Sequence, residues 1–136
     1  MTHAKQATVY VIDDDRAVRH ALERLLMSVG FEVRTFARAD AFLKAGCPAE
    51  NACVVADLRL QGMSGLALQR ELRRTRSPLH LIFVTAQDTE ETRTQAVRAG
   101  AVALFVKPVD DQALLDAIRW ALSLSDDQPP PASPGG

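Results

Sequence analysis

Five polar side chains follow short apolar segments of the chain, and they are Asp13, Asp14, Asp57, Thr85 and Lys107. Segments of this length, rich in β-branched residues, are typical of buried strands in a parallel sheet. Parallel strands end at a common edge, where α/β proteins bind ligands, so we expect these five side chains to converge. Crowded carboxylates raise one another's pKa unless a cation lies among them. The pattern therefore predicts an acidic metal site flanked by a hydroxyl and an ammonium group.

Mg²⁺ is the cation that this set of oxygen donors favours. It keeps several waters and usually takes one or two carboxylates together with a phosphate oxygen. Asp57 then stays free to act as a nucleophile toward a phosphoryl group. The Thr85 hydroxyl and the Lys107 ammonium can hold the other phosphoryl oxygens, and phosphoryl transfer requires mainly such positioning and charge neutralisation. The sequence therefore predicts that Asp57 is a phosphoryl acceptor.

Each of these residues also has a structural interpretation. The three consecutive aspartates 13–15 could cap a helix and favour its first turn, and Asp15 is predicted to do only that. Thr85 could be an ordinary β-branched strand residue, and Lys107 with Pro108 could form a turn at a strand end. The shared position of these residues at strand ends favours the functional interpretation.

The elements that must position these residues alternate strictly between strand and helix. The sequence predicts five short strands at residues 8–12, 31–36, 52–57, 79–85 and 102–106. Helical periodicity and capping residues predict five helices. The first ends at Gly30, and the second is short and covers residues 39–45. Ser64 caps the third, the fourth begins at Asp88 or Thr89 and ends at Gly100, and Asp110 caps the fifth. Five such units with short loops predict an α/β fold whose parallel sheet is covered by helices on both faces.

Length and charge restrict the range of functions. The 136 residues are enough for one domain, and we expect a flexible segment at 1–7, a folded domain at 8–124 and a Pro-rich linker or tail at 125–136. The formal net charge of −1 gives no reason to expect direct binding to nucleic acid or a membrane. Neither a signal peptide nor a long apolar run is evident, so we expect a cytoplasmic location.

Several motifs in their order along the chain resemble one family. They are Val11-Ile12-Asp13-Asp14-Asp15, Asp57-Leu58-Arg59-Leu60 with Gly62-Met63-Ser64-Gly65, Val84-Thr85-Ala86, Arg98-Ala99-Gly100-Ala101 and Val106-Lys107-Pro108. Together they resemble a response-regulator receiver domain of two-component signalling. Within that family the chain is similar to receivers that precede helix-turn-helix output domains.

The resemblance implies a flavodoxin-like (βα)5 sandwich of three layers, with strand order 2-1-3-4-5. It also implies that a cognate histidine kinase phosphorylates Asp57 in the presence of Mg²⁺. Asp14 would bind the metal directly, Asp13 largely through water, and the backbone carbonyl of Arg59 would be a further ligand. Such a receiver is not an enzyme beyond its own phosphotransfer and autodephosphorylation. It would reach DNA only through an output domain that this chain does not contain.

Two positions depart from the family's pattern. Gln61 replaces the usual proline in the loop after Asp57, which restores a backbone N–H beside the site. Leu104 stands where the family commonly has an aromatic residue that moves inward on phosphorylation. The aromatic Phe105 comes one residue later and is therefore predicted to point to the other face of the strand.

One other function remains open at this level, and a third is weakened. The open alternative is a protein-interaction module with the same fold that works without phosphorylation. The other is a metal-dependent phosphatase with an aspartyl nucleophile, which is disfavoured because Arg59 stands two residues after Asp57, where a general acid would be needed.

The last two helices indicate what the domain contacts. The helix after Asp88 begins with residues that offer almost no apolar face, so we expect it to be the most mobile helix. The last helix carries apolar residues beyond one core stripe, which are Ala113, Leu115, Trp120 and Leu124. Such residues often mark a contact, with Trp120 the expected anchor. We therefore expect phosphorylation to promote a homodimer through the fourth helix, the fifth strand and the last helix.

Overall fold

A computed structural model describes residues 6–126. In this part of the chain five strands alternate with five helices, and their bounds are β1 Thr8–Ile12, α1 Arg16–Ser28, β2 Glu32–Phe36, α2 Ala39–Lys44, β3 Ala52–Asp57, α3 Gly65–Arg74, β4 His80–Thr85, α4 Glu90–Ala99, β5 Ala103–Val106 and α5 Asp111–Asp126. The predicted alternation is confirmed, with β2, β4 and β5 starting one residue later than expected. Most of the predicted N-terminal segment and the predicted tail from residue 127 onward lie outside the described residues, so those two boundaries stay predictions.

All neighbouring strands pair in parallel, in the order β2-β1-β3-β4-β5. This arrangement confirms the predicted α/β fold, a flavodoxin-like (βα)5 sandwich with strand order 2-1-3-4-5. The register places Ile12 opposite Ala56, and Asp57 opposite Val84. Because the strands run the same way in nearly level register, β1, β3 and β4 end at one edge of the sheet.

Helices cover both faces of the sheet and enclose two apolar cores. On one face Tyr10, Val54 and Phe83 pack with residues of α2, α3 and α4. On the other face Val11 and Val55 pack with residues of α1 and α5. Every residue of β3 is buried, as expected for the central strand of a parallel sheet. Burying a large apolar side chain contributes about 1.5–3 kcal/mol, so the central strands form a rigid support for residues at their ends.

Polar caps set where the helices begin. The carboxylate of Asp15 accepts hydrogen bonds from two backbone amides of α1, and the hydroxyl of Ser64 accepts one from α3. Thr89 caps α4, and Asp110 accepts a hydrogen bond from the Ala113 N–H at the start of α5. Gly100 ends α4 with a φ of 83°, a conformation that glycine adopts without steric cost. These capping predictions are confirmed.

The structure settles how three apolar residues are oriented. Leu104 packs on the core that includes α3 and α4, whereas Phe105 packs on the core that includes α1 and α5, as predicted. The prediction that Leu115 adds exposed apolar surface is wrong, because only 6% of it is exposed. Leu115 and Leu122 lie two turns apart on the same side of α5, and both are buried there, so the buried stripe of this helix is wider than predicted.

Across residues 6–126, none of the helices has the length and apolar content needed to cross a bilayer.

Candidate functional site

The residues with chemical potential meet at the carboxyl edge of the sheet. Asp13 directly follows β1, Asp57 ends β3, Thr85 ends β4 and Lys107 directly follows β5. Main-chain hydrogen bonds hold these strand ends in place. The Asp13 N–H donates to the Phe36 carbonyl at 3.1 Å, and the Lys107 N–H donates to the Thr85 carbonyl at 2.8 Å. The site therefore rests on backbone that the sheet itself positions.

The ammonium group of Lys107 joins two of the carboxylates. Its Nζ lies 2.9 Å from Oδ2 of Asp13 and 2.8 Å from Oδ2 of Asp57. The Asp13 side chain is 3% exposed and the Asp57 side chain 11% exposed, so water screens these pairs poorly. The peptide bond between Lys107 and Pro108 is cis. One cation thus offsets part of the negative charge of two aspartates from different strands.

Three carboxylates are close enough to share a metal ion. Asp13, Asp14 and Asp57 each have an oxygen within 4.8 Å of the others. Both oxygens of Asp13 are engaged, since Oδ1 accepts the Asp15 N–H and Oδ2 accepts from Lys107. Asp14 is exposed, and within residues 6–126 its carboxylate accepts no hydrogen bond. Hard oxygen donors with an excess of negative charge fit Mg²⁺, and Asp14 is the one most available for direct coordination.

Burial and pairing act in opposite directions on the titration of this site. Burial raises the pKa of Asp13 above its ordinary value, although the hydrogen bond from the Asp15 N–H and the nearby Lys107 ammonium both lower it. Burial disfavours the charged form of Lys107, yet its hydrogen bonds to Asp57 and Asp13 and their negative charges together outweigh that effect and raise its pKa. Lys107 is therefore charged at neutral pH.

Asp57 is held from both sides. Its Oδ1 accepts a hydrogen bond of 2.9 Å from the Arg59 N–H, and its Oδ2 accepts from Lys107. On its main-chain side, Gly65 at the start of α3 comes so close that a Cβ there would lie 2.5 Å from the Asp57 carbonyl oxygen. The structure therefore defines the position of the carboxylate through both its side chain and its backbone.

Thr85 lies beside this cluster but has a different partner. It is 1% exposed, and its Oγ1 accepts a hydrogen bond of 3.1 Å from the Gln87 N–H. Its link to the rest of the site is the bond between its carbonyl and the Lys107 N–H. The structure thus brings Asp13, Asp14, Asp57 and Lys107 into one cluster, with Thr85 and the Arg59 backbone adjacent. The roles predicted for these residues stay predictions.

Sequence reasoning missed several contacts around the site. Arg19 on α1 donates from Nη1 to the carbonyl oxygen of Asp13 at 2.7 Å, and no motif in the sequence indicates this bond. Thr92 is 1% exposed and forms a capping box with Thr89. The spacing of three residues between these threonines is a capping signal that the sequence contains.

Comparisons with known proteins agree with this geometry. A family model described as response regulator receiver domain matches residues 9–119. The chain is 42% identical over 119 residues to the transcriptional regulatory protein TdiR of Thauera aromatica, covering 88% of this chain and 52% of that protein. It is 40% identical over 120 residues to the transcriptional regulatory protein FixJ of Azorhizobium caulinodans, covering 88% of this chain and 57% of that protein. The solved structure of the response regulator StyR superposes with a TM-score of 0.82 at 42% identity, covering 89% of this chain and 61% of that one.

The chain spans about half the length of the two curated relatives, which are named as transcriptional regulators. The similarity therefore concerns one portion of those proteins.

Proposed function

The chain belongs to the response regulator receiver domain family, and from that premise we propose that it is a switch in which Asp57 accepts a phosphoryl group from a histidine kinase. The observation that carries the proposal is the Lys107 ammonium, which lies within 3 Å of both Asp13 and Asp57 at the edge of the sheet. A cation placed this way can neutralise charge on a phosphoryl group bound to Asp57.

The transfer is a displacement at phosphorus. A carboxylate oxygen of Asp57 forms a bond to phosphorus while the bond from phosphorus to the kinase histidine nitrogen breaks. The imidazole leaves as the neutral ring, which keeps the proton on its other nitrogen and takes the electron pair of the broken bond. Lys107 then turns from the carboxylates to a phosphoryl oxygen, and the Thr85 hydroxyl donates to another. Attack by water later releases phosphate and restores the carboxylate, so the domain catalyses only its own phosphorylation and dephosphorylation.

A divalent cation belongs to this proposal. Asp13, Asp14 and Asp57 supply carboxylate oxygens of the kind that Mg²⁺ prefers. When bound, Mg²⁺ would offset the negative charge that accumulates as phosphate approaches the carboxylates. Asp14 would hold it directly, Asp13 would act largely through water because both its oxygens are engaged, and the Arg59 carbonyl would be a further ligand.

Intact mass spectrometry after incubation with acetyl phosphate and Mg²⁺ tests the proposal. We expect the protein to gain the mass of one phosphoryl group, and Asp57→Asn to gain none. Asp116→Asn, which changes an exposed aspartate on α5, is the matched control and should be modified like the unchanged protein. Modification of Asp57→Asn would refute the assignment, and failure of the unchanged protein would favour an interaction module that works without phosphorylation.

The output of the switch is proposed to be transcription. TdiR and FixJ are named transcriptional regulators, and this chain matches about half of each. We infer that the receiver controls a DNA-binding output domain, either attached or on a partner, and contacts DNA only through it.

Phosphorylation is further proposed to promote a homodimer through α4, β5 and α5. Trp120 on α5 is 60% exposed and Val97 on α4 is 78% exposed, and large apolar residues at this exposure often mark a contact. Sedimentation with and without acetyl phosphate and Mg²⁺ should show a dimer only when Asp57 is modified. Trp120→Glu should keep the phosphorylated protein monomeric, and a monomer of the unchanged phosphoprotein at every concentration would rule out this interface.

A further inference from the structure

Helix α4 is attached to the domain with unusually little apolar burial. Of its ten residues, the structure buries Thr92 and Ala96, whereas Val97 is 78% exposed. One alanine contributes little hydrophobic free energy compared with the leucines and isoleucine that α5 buries. Hydrogen bonds at the two ends of α4 therefore decide much of its position.

At the N-terminal end, these hydrogen bonds lead back to the candidate site. The Gln87 N–H donates to Oγ1 of Thr85 at 3.1 Å. Oγ1 of Thr92 lies 3.0 Å from the Gln87 carbonyl oxygen and 2.8 Å from the Thr89 carbonyl oxygen, so its one proton is shared between these two acceptors. Oγ1 of Thr92 also accepts the Thr89 N–H at 3.2 Å. The backbone of one residue, Gln87, thus links the hydroxyl of Thr85 at the site to the buried hydroxyl of Thr92 in the first turn of α4.

At the C-terminal end, α4 is attached to α3. The carbonyl of Ala99 accepts hydrogen bonds from Nε2 of Gln69 at 3.0 Å and from Nη1 of Arg73 at 3.1 Å. Gln69 is itself buried at 6% exposure, so its amide has little freedom to follow a moving helix. The C-terminal end is therefore the fixed end of α4, and the N-terminal end depends on Gln87.

We propose that Thr92 is a positioning residue that couples the Thr85 hydroxyl to the N-terminal end of α4 through Gln87. This inference rests on the proposed function, because it requires the Thr85 hydroxyl to turn toward a phosphoryl oxygen. When Oγ1 of Thr85 turns, the Gln87 N–H loses its acceptor and the Gln87 peptide shifts. The Thr92 hydroxyl, bonded to the Gln87 carbonyl, carries that shift into α4, which pivots about the end held by Gln69 and Arg73.

Coupling of this kind is reciprocal, and reciprocity separates it from a simple capping role. If α4 restrains Thr85 through Gln87, then breaking the connection must lower the cost of turning the Thr85 hydroxyl. A larger fraction of the molecules then has this hydroxyl turned toward the site, and the rate at which Asp57 acquires a phosphoryl group should rise with that fraction. A residue that only caps α4 would change the exchange of α4 amides and leave that rate unchanged.

The experiment follows Asp57 phosphorylation over time by intact mass, with acetyl phosphate and Mg²⁺. Thr92→Val removes the hydroxyl at nearly constant volume. We expect its rate to rise about fivefold, because a coupling free energy at the low end of the typical range changes the population of the turned state by that factor. Thr92→Ser keeps the hydroxyl and should restore the original rate. Thr94→Val changes an exposed threonine of the same helix and should leave the rate unchanged. In a Thr85→Val background, adding Thr92→Val should have no further effect.

The possible results separate the proposals. Equal rates for Thr92→Val and Thr94→Val, with faster amide exchange in α4 of Thr92→Val, would overturn the coupling and leave Thr92 as a cap. An effect of Thr92→Val that persists without the Thr85 hydroxyl would overturn it as well. If circular dichroism shows that Thr92→Val is unfolded, Thr92→Ala removes the same hydroxyl and carries the same expectation. If even the unchanged protein acquires no phosphoryl group, the proposed function fails and the coupling falls with it.

Discussion

Replacing Gly65 with alanine should displace Asp57 without touching any titratable group. Gly65 is the first residue of α3 and is buried. A Cβ at this position would lie 2.5 Å from the Asp57 carbonyl oxygen, 2.9 Å from a ring carbon of Phe83 and 3.0 Å from Cα of Leu58. Two of the three obstacles are backbone atoms at the end of β3, where the proposed phosphoryl acceptor lies, so a rotamer change cannot relieve the contact.

The size of the effect follows from these distances. An ordinary van der Waals separation starts at 3.4 Å, so α3 and the Asp57 peptide must move apart by about 0.9 Å. Forcing an added methyl group into a packed interior costs about 1–3 kcal/mol of unfolding free energy. A displacement near 1 Å in a reacting group can lower a rate by about 100-fold. We therefore expect Gly65→Ala to lose about 1–3 kcal/mol of stability and about 10- to 100-fold in the phosphorylation rate.

Urea unfolding and the acetyl phosphate time course measure the two quantities. Gly46→Ala is the control, because Gly46 has a φ of 62° and nothing within 4 Å of the added Cβ. It should lose about 1 kcal/mol from the left-handed backbone conformation alone and keep the original phosphorylation rate. If Gly65→Ala matched the unchanged protein in both assays, the backbone of α3 would not constrain Asp57 as argued. If Gly46→Ala slowed phosphorylation equally, the loss would reflect general destabilisation.

Three further results are expected. In a fluorescence titration, Asp14→Ala should lose more affinity for Mg²⁺ than Asp13→Ala. The Asp14 carboxylate accepts no hydrogen bond within residues 6–126, whereas both oxygens of Asp13 are engaged. Equal losses of affinity would contradict this ranking. In native hydrogen exchange, the amides of α4 should exchange faster than those of α1, because α1 buries Leu26 and packs Leu22 and Leu25 on a core. Equal protection of the two helices would disprove this prediction. Burial lowers the pKa of His80 below 6.5, so the unfolded chain takes up a proton more readily than the folded domain. The stability that depends on neutral His80 is therefore complete above pH 6.5 and is lost as the pH falls below it. His80→Gln should weaken the fall in urea midpoint between about pH 7.5 and 5.5.

Much of the fold can be predicted from local features of the sequence. Apolar runs predict the central strands because burial on both faces demands continuous hydrophobicity, as Ala52–Asp57 shows. Asp15, Ser64, Thr89 and Asp110 mark helix starts because a short polar side chain satisfies amides that the helix leaves free. The candidate site is predictable for the same reason, since polar residues that end parallel strands must share one edge of the sheet.

Other features depend on contacts between residues far apart in the chain. Lys107 pairs with Asp13 across 94 residues, and only the folded sheet shows that one ammonium reaches two carboxylates. Periodicity alone places Leu115 on the surface because its position lies at the border of the helical stripe, where the width of the neighbouring core decides burial.

The hydrogen bonds of Thr92 also depend on the tertiary structure. The capping signal of Thr89 and Thr92 is local, but the direction of the Thr92 hydroxyl toward the Gln87 carbonyl depends on how the loop after β4 folds back. The anchor of Ala99 on Gln69 and Arg73 likewise depends on how α3 and α4 pack. Periodicity and capping specify elements because they act within a few residues, whereas the distances that perform chemistry are set by packing between elements, which no local pattern encodes.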